Sequence, residues 1–135
     1  MAMMTVPARF EFLDEIREFV AEIARAGGFS DKEVYSLQLA ADEAATNIIE
    51  HAYEGLEGDI RISCEVRGKE FVITLHDDGT PFDPSNVKKP DLKADLSKRQ
   101  IGGLGIYLMR KLMDEVHYES HAAGGNLLPM RKRRI

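Results

Sequence analysis

The sequence predicts an α+β fold, a two-layer sandwich with helices covering one face of a mostly antiparallel sheet. Three observations predict it. Residues 9–26 and 31–53 carry apolar side chains at helical spacing, residues 60–66 and 70–77 alternate apolar and polar around a tight turn, and a third helical stretch near residues 104–113 precedes a second hairpin pattern. Helices of this kind bury one stripe against one sheet face, and strands that alternate leave the other face wet.

Residues 3–6 read as a short strand. In residues 9–26 Phe12, Ile16, Phe19, Val20 and Ile23 share one helical face, and Gly27-Gly28 ends the helix. Ser30-Asp31-Lys32-Glu33 is a capping box, in which the serine satisfies free amide groups and Glu33 reaches back. The second helix is predicted over residues 31–53, burying Val34, Leu37, Ala41, Ala44, Ile48 and Ala52. Around Arg67-Gly68-Lys69, Ile60, Ile62, Cys64 and Val66 point one way and Arg61, Ser63, Glu65 and Arg67 the other. Residues 116–120 and 126–131 form a closing hairpin around Gly124-Gly125; Pro129 removes a ladder donor and predicts an edge strand or an early end. The connection between Gly79 and Gly102 is rich in Pro, Asp and Lys, and long structureless loops in compact domains are functional or disordered.

At 135 residues the chain is long enough for one domain with a real core, residues 1–135, and too short for two ordinary ones. Its net charge of -5 argues against nucleic acid, which demands a basic stripe to displace counterions. The basic run Met130-Arg131-Lys132-Arg133-Arg134 reads as a solvated tail. No apolar run approaches the roughly 20 residues that span a bilayer, so no membrane association and a cytoplasmic location are expected. Cys64 is the single cysteine; it is in phase with the core face, so it is expected to be a small buried side chain.

Three blocks carry chemistry. Glu43, Asn47 and His51 recur every four residues and form one polar stripe on a helix whose other face is apolar. An amide oxygen from Asn47 suits Mg²⁺, which takes hard oxygen ligands and keeps several waters; Glu43, one turn earlier, could deprotonate an attacking hydroxyl. Asp42 and Glu50 read as surface charges. Phe71, Ile73, Leu75 and Asp77 continue an apolar strand face into a carboxylate, which is costly to bury without a partner. Gly79 lets backbone approach closely, although Asp78-Gly79 also fits a plain turn. Gly102, Gly103 and Gly105 precede a helix, where free amides and the dipole favour phosphate; Lys98 and Arg99 lie close enough in sequence to neutralise it.

In this order, Glu43-Ala44-Ala45-Thr46-Asn47, Asp77-Asp78-Gly79 and Gly102-Gly103-Leu104-Gly105 resemble the nucleotide-binding boxes of the GHKL (Bergerat-fold) ATPase superfamily. Residues 43–53, the continuation Thr80-Pro81-Phe82-Asp83-Pro84 and residues 102–116 are most similar to bacterial anti-sigma-factor serine/threonine-protein kinases of the partner-switching type. The resemblance implies ATP and Mg²⁺ as cofactors and an ATP lid at about residues 79–102. It implies Glu43 as the catalytic carboxylate and Asn47 as metal ligand. His51, Asp77, Gly79, Phe82, Arg99, Gly102, Gly103, Leu104 and Gly105 would join Asn47 around the nucleotide, with Asp77 accepting from the adenine amino group. It further implies a sigma factor and an anti-anti-sigma (STAS-type) protein as partners, and a homodimer. Gly125-Asn126-Leu127-Leu128 resembles the family's closing strand, from which Pro129-Met130 depart. An ATP-gated binding module without significant kinase activity and a detached histidine-kinase catalytic domain remain the alternatives.

Overall fold

The computed structural model describes residues 1–54, 56–81, 101–120 and 124–135, with backbone alone for 101–106. Strand β1 (Ala2–Pro7) leads through a 3-10 turn (Phe10–Phe12) into α1 (Leu13–Ala26), followed by α2 (Asp31–Asn47) and one π turn (Ile48–Ala52). Then come β2 (Asp59–Arg67), β3 (Glu70–Asp77), α3 (Ile101–Leu112), β4 (Glu115–Val116), β5 (Glu119–Ser120) and β6 (Asn126–Arg133). The sheet order is β1-β2-β3-β6-β4, with β5 also on β6, and every pairing among the described residues is antiparallel.

The α+β two-layer expectation holds, because the alternation and helical stripes meet in one core. Ile60, Ile62, Cys64, Phe71, Ile73, Leu75, Leu128 and Met130 are buried on the sheet's inner face. Ile16, Val20, Val34, Leu37, Ile48 and Met109 close over them from the helices. Each such side chain contributes about 1.5–3 kcal/mol when removed from water. Four fully buried alanines, Ala40, Ala41, Ala44 and Ala45, let α2 run between α1 and α3, both of which pack on it. Cys64 is part of this core, and burial pushes its thiol pKa up to about 12, so no thiolate forms near neutral pH.

The capping box is present: Ser30 Oγ accepts from Glu33 N at 3.2 Å, and Glu33 Oε1 accepts from Ser30 N at 2.9 Å. Four expectations are corrected. The second helix is α only to Asn47, beyond which Tyr53 N donates to Ile48 O at 3.1 Å, the wider π spacing. The basic run is no tail but the end of β6. There Lys132 Nζ donates to Leu112 O at the end of α3 (2.9 Å), and Ile135 N donates to Glu33 Oε2 (3.0 Å). Asp42 is not merely a surface charge, because Arg17 Nη1 donates to its carboxylate at 2.5 Å. Finally, Pro129 sits in an inner strand that continues to Arg133, not at an edge or an early end. Its carbonyl accepts from His117 N at 2.9 Å, so its missing N–H faces the gap between β4 and β5 and the β3 ladder loses nothing.

Among the described residues no helix is long and apolar enough to cross a membrane.

Candidate functional site

The end of α2 carries the first block. Asn47 is 2% exposed, and its Nδ2 has no hydrogen-bond partner among the described residues. A buried amide left so is costly, and it is the kind of group that a bound ligand relieves. Glu43, one turn earlier, is half-buried. Burial raises its pKa first, and the like charges of Asp42 and Glu50 add to the effect. That is the direction useful in a general base, whose efficiency grows as its pKa approaches working pH. His51 lies within the π turn, half-buried, where the wider register replaces the even four-residue spacing expected of the stripe.

The second block sits at the end of β3. Asp77 is 1% exposed. Its Oδ1 accepts from Gly79 N and from Asn126 Nδ2, both at 2.9 Å, while its Oδ2 has no partner among the described residues. Burial raises the Asp77 pKa, and the two donors to Oδ1 pull the other way. Asn126 was not foreseen as a site residue. It lies directly opposite Asp77 in the β3–β6 register, donates also to Thr80 O at 3.1 Å, and accepts from Tyr118 Oη at 2.5 Å. The sequence signals for it are the Gly125-Asn126-Leu127-Leu128 likeness to the family's closing strand and an Asn at the first inward position of that strand.

Backbone contacts join these two blocks. Thr80 N donates to Ala52 O at 2.7 Å, tying the loop after β3 to the end of the π turn. A Cβ on Gly79 would fall 2.6 Å from that same carbonyl oxygen, so glycine is required there for packing between the blocks. Gly125 N donates to Gly79 O at 2.9 Å; its φ of +101°, and the 2.7 Å that would separate a Cβ from Asp77 O, demand glycine again. Tyr53 Oη, donating to Asp59 O (2.7 Å) and accepting from Asp78 N (2.9 Å), pins the other side of the turn.

The third block opens a helix as expected, but the helix starts earlier, so that Gly102 and Gly103 lie inside it. α3 begins at Ile101, so Gly102, Gly103, Leu104 and Gly105 form its first turns. The first-turn amides of such a helix keep no intrahelical acceptor and are the groups available to an anion. Phe82, Lys98, Arg99 and most of the predicted lid lie outside the described residues.

Among the described residues no group of three His, Cys, Asp or Glu side chains could hold a metal. The buried Asn47 amide oxygen is a hard donor of the kind Mg²⁺ takes alongside phosphate oxygens and water.

Residues 6–132 match the histidine kinase-like ATPase domain family. The serine-protein kinase RsbW of Bacillus thuringiensis (strain Al Hakam) is 34% identical over 117 residues, covering 84% of this chain and 73% of that protein. The serine-protein kinase RsbW of Bacillus subtilis (strain 168) is 34% identical over 125 residues, covering 88% and 78%. Among solved structures, the RsbU and RsbW domains of a Mycobacterium tuberculosis protein superpose with a TM-score of 0.66 at 15% identity, over 99% of this chain and 32% of that one. The catalytic domain of histidine kinase ThkA gives 0.57 at 16% identity, over 99% and 97%. At such identities these structures speak for the fold alone. Fold, site order and sequence likeness agree: the chain belongs to the histidine kinase-like ATPase family and, within it, to the serine-protein kinases of the RsbW type.

Proposed function

We propose that this chain is an ATP-dependent protein serine kinase and anti-sigma factor. It restrains a sigma factor and, by phosphorylating an anti-anti-sigma protein of the STAS type, inactivates the partner that would release it. The observation that carries the nucleotide half is the pair of buried polar side chains, Asn47 and Asp77, each with an atom lacking a partner among the described residues. Two such groups at one helix–strand seam are hard to reconcile with a purely structural role, since each costs about 1–3 kcal/mol unmet.

ATP with Mg²⁺ supplies the transferable phosphoryl group. Asp77 Oδ2 would accept from the adenine amino group, the Asn47 amide would hold the metal through its oxygen while its unpartnered Nδ2 donates to a phosphate oxygen, and the first-turn amides of α3 would face the phosphates. Glu43 takes the proton of the incoming serine hydroxyl as its oxygen bonds to the γ-phosphorus and the bond to the departing ADP breaks. Its raised pKa supports that role. Phe82, Arg99 and a lid over about residues 79–102 complete the nucleotide pocket in this reading, with His51 at its wall. The sigma and STAS-type partners and the homodimer rest on the family resemblance, the single domain over residues 1–135 on chain length, and the cytoplasmic setting on the expectation drawn from the apolar runs.

The test is single-turnover transfer of labelled phosphate from ATP to a cognate STAS-type protein, with and without Mg²⁺. Metal-dependent labelling of a partner serine is expected. Tight ATP binding without transfer to a verified partner would leave a nucleotide-gated binding module in place of a kinase.

A further inference from the structure

We infer that Tyr53 is a positioning residue for ATP: its hydroxyl hangs the turn after β3 from the end of the helix that carries Asn47, and so sets the place of that turn relative to the Asn47 amide. The inference rests on the reading that this helix–strand seam takes ATP.

The Tyr53 hydroxyl bridges two segments, and its role toward each is fixed. Asp78 N–H, 2.9 Å away, can only donate to it, so its single proton goes to Asp59 O at 2.7 Å. Burial raises the pKa of this phenol, which keeps the proton in place near neutral pH. The ring is packed against bare backbone: a Cβ on Gly58 would fall 2.1 Å from ring Cε1, and Ala8 N holds Gly58 O at 2.8 Å, so that surface cannot retreat freely. The direction of the ring follows from the π turn directly after Asn47, where Tyr53 N donates to Ile48 O. The chain then leaves through Glu54 at φ +50°, a left-handed conformation that a non-glycine residue keeps only where its surroundings impose it.

Asp78 is held from both faces of the sheet, by Arg61 at its carboxylate and by Tyr53 at its amide. The outer hold is an exposed ion pair and is weak. The inner one comes from a side chain 8% exposed, so it decides where the turn lies. Were the Asp78 amide released, Gly79 N, the next amide in the chain, would move with it, and that amide donates to Asp77 Oδ1. Tyr53 acts through the backbone of the turn and is not a catalytic residue.

The experiment is calorimetric binding of Mg-ATP beside steady-state phosphate transfer, with the unmodified chain, Tyr53→Phe, Gly58→Ala and Ile16→Val. Tyr53→Phe keeps the ring and deletes both hydroxyl bonds. Gly58→Ala keeps the hydroxyl and displaces the ring, and Ile16→Val removes one methylene from the core side of α1 as a control for lost stability. Tyr53→Phe is expected to raise Kd and KM for ATP by about three- to tenfold, the value of a buried hydrogen bond, with kcat within about twofold. Gly58→Ala should do the same, Ile16→Val should leave Kd unchanged, and the Asp78 amide should exchange with solvent faster by about threefold or more in Tyr53→Phe. ATP affinity in Tyr53→Phe equal to that of the unmodified chain, or a loss matched by Ile16→Val, would overturn the inference while leaving the nucleotide reading intact. An unmodified chain that binds no ATP would overturn that reading and the inference with it.

Discussion

At the end of β3 two consecutive aspartates serve opposite sides of the sheet. Asp77 lies under the helices, 1% exposed, with one oxygen doubly bonded and the other without a partner among the described residues. The Asp78 side chain is 68% exposed and receives both Arg61 guanidinium nitrogens, at 3.0 and 3.1 Å, with His76 2.8 Å from the same guanidinium. Burial raises the pKa of the first; the Arg61 hydrogen bonds lower that of the second. One residue type, on adjacent positions, thus becomes a poised acceptor on one face and a neutralised surface charge on the other. Glu43 shares this direction with Asp77, since burial raises its pKa too. In the proposed reading, chemical capacity follows desolvation, not the mere presence of carboxylates.

The comparison can be sharpened most strongly at Glu43. Glu43→Gln keeps the shape and is expected to lower phosphate transfer by about 10²- to 10⁴-fold, the range of a lost general base, with ATP affinity unchanged. Single-turnover transfer beside calorimetry separates the two, and a parallel fall in affinity would make Glu43 a binding residue.

Next in size is the contrast between the aspartates themselves. Asp77→Ala should weaken ATP binding by about 10- to 100-fold, the value of one charge-assisted bond, whereas Asp78→Ala should stay within about threefold because an exposed pair contributes little. Equal losses measured by titration calorimetry would erase the distinction between the two faces.

Two glycines extend the same contrast to the backbone. Gly79→Ala places a methyl group 2.6 Å from the Ala52 carbonyl oxygen at the seam and should cost about 1–3 kcal/mol. Gly68→Ala, in the β2–β3 turn at φ +60° with nothing within 4 Å of its Cβ position, should cost only about 1 kcal/mol. Urea unfolding reads both, and only the seam variant should also lose ATP affinity.

The smallest expected effect is on stability against pH. The raised pKa of Asp77 means that its contribution is complete below the unfolded value and is lost as pH rises through the folded value. The lowered pKa of Asp78 means the reverse: its contribution is present above the unfolded value and is lost as pH falls through the folded one. Hence Asp77→Asn should stabilise the nucleotide-free protein near neutrality, and Asp78→Asn should destabilise it by about 0.2–1 kcal/mol. Both differences should fade on acidification. Thermal unfolding between about pH 3 and 7 follows them, and like signs for the two variants would contradict the assigned environments.

Local rules sufficed where local physics decides. Ser30 and Glu33 form a capping box within four residues of chain, and two residues form the β2–β3 turn between strands whose inward set was readable by alternation down to Asp77. The same rules failed where the answer depended on a distant neighbour. Arg17, 25 residues away, takes Asp42 out of the list of free surface charges. The last residues became an inner strand because β3 offered a ladder on one side and β4 and β5 on the other.

From the sequence by itself came the layer architecture and the inward faces, because period and capping act over a few positions; the candidate roles of Glu43, Asn47 and Asp77 came with the family resemblance. Only the tertiary structure decided that Asn126, 49 residues from Asp77, donates to that carboxylate, and that Gly79 must be small because Ala52 lies against it. The reason is physical. Burial and hydrogen-bond partnership belong to the packed chain, and a carboxylate's character as acceptor, base or surface charge is set by what surrounds it after folding.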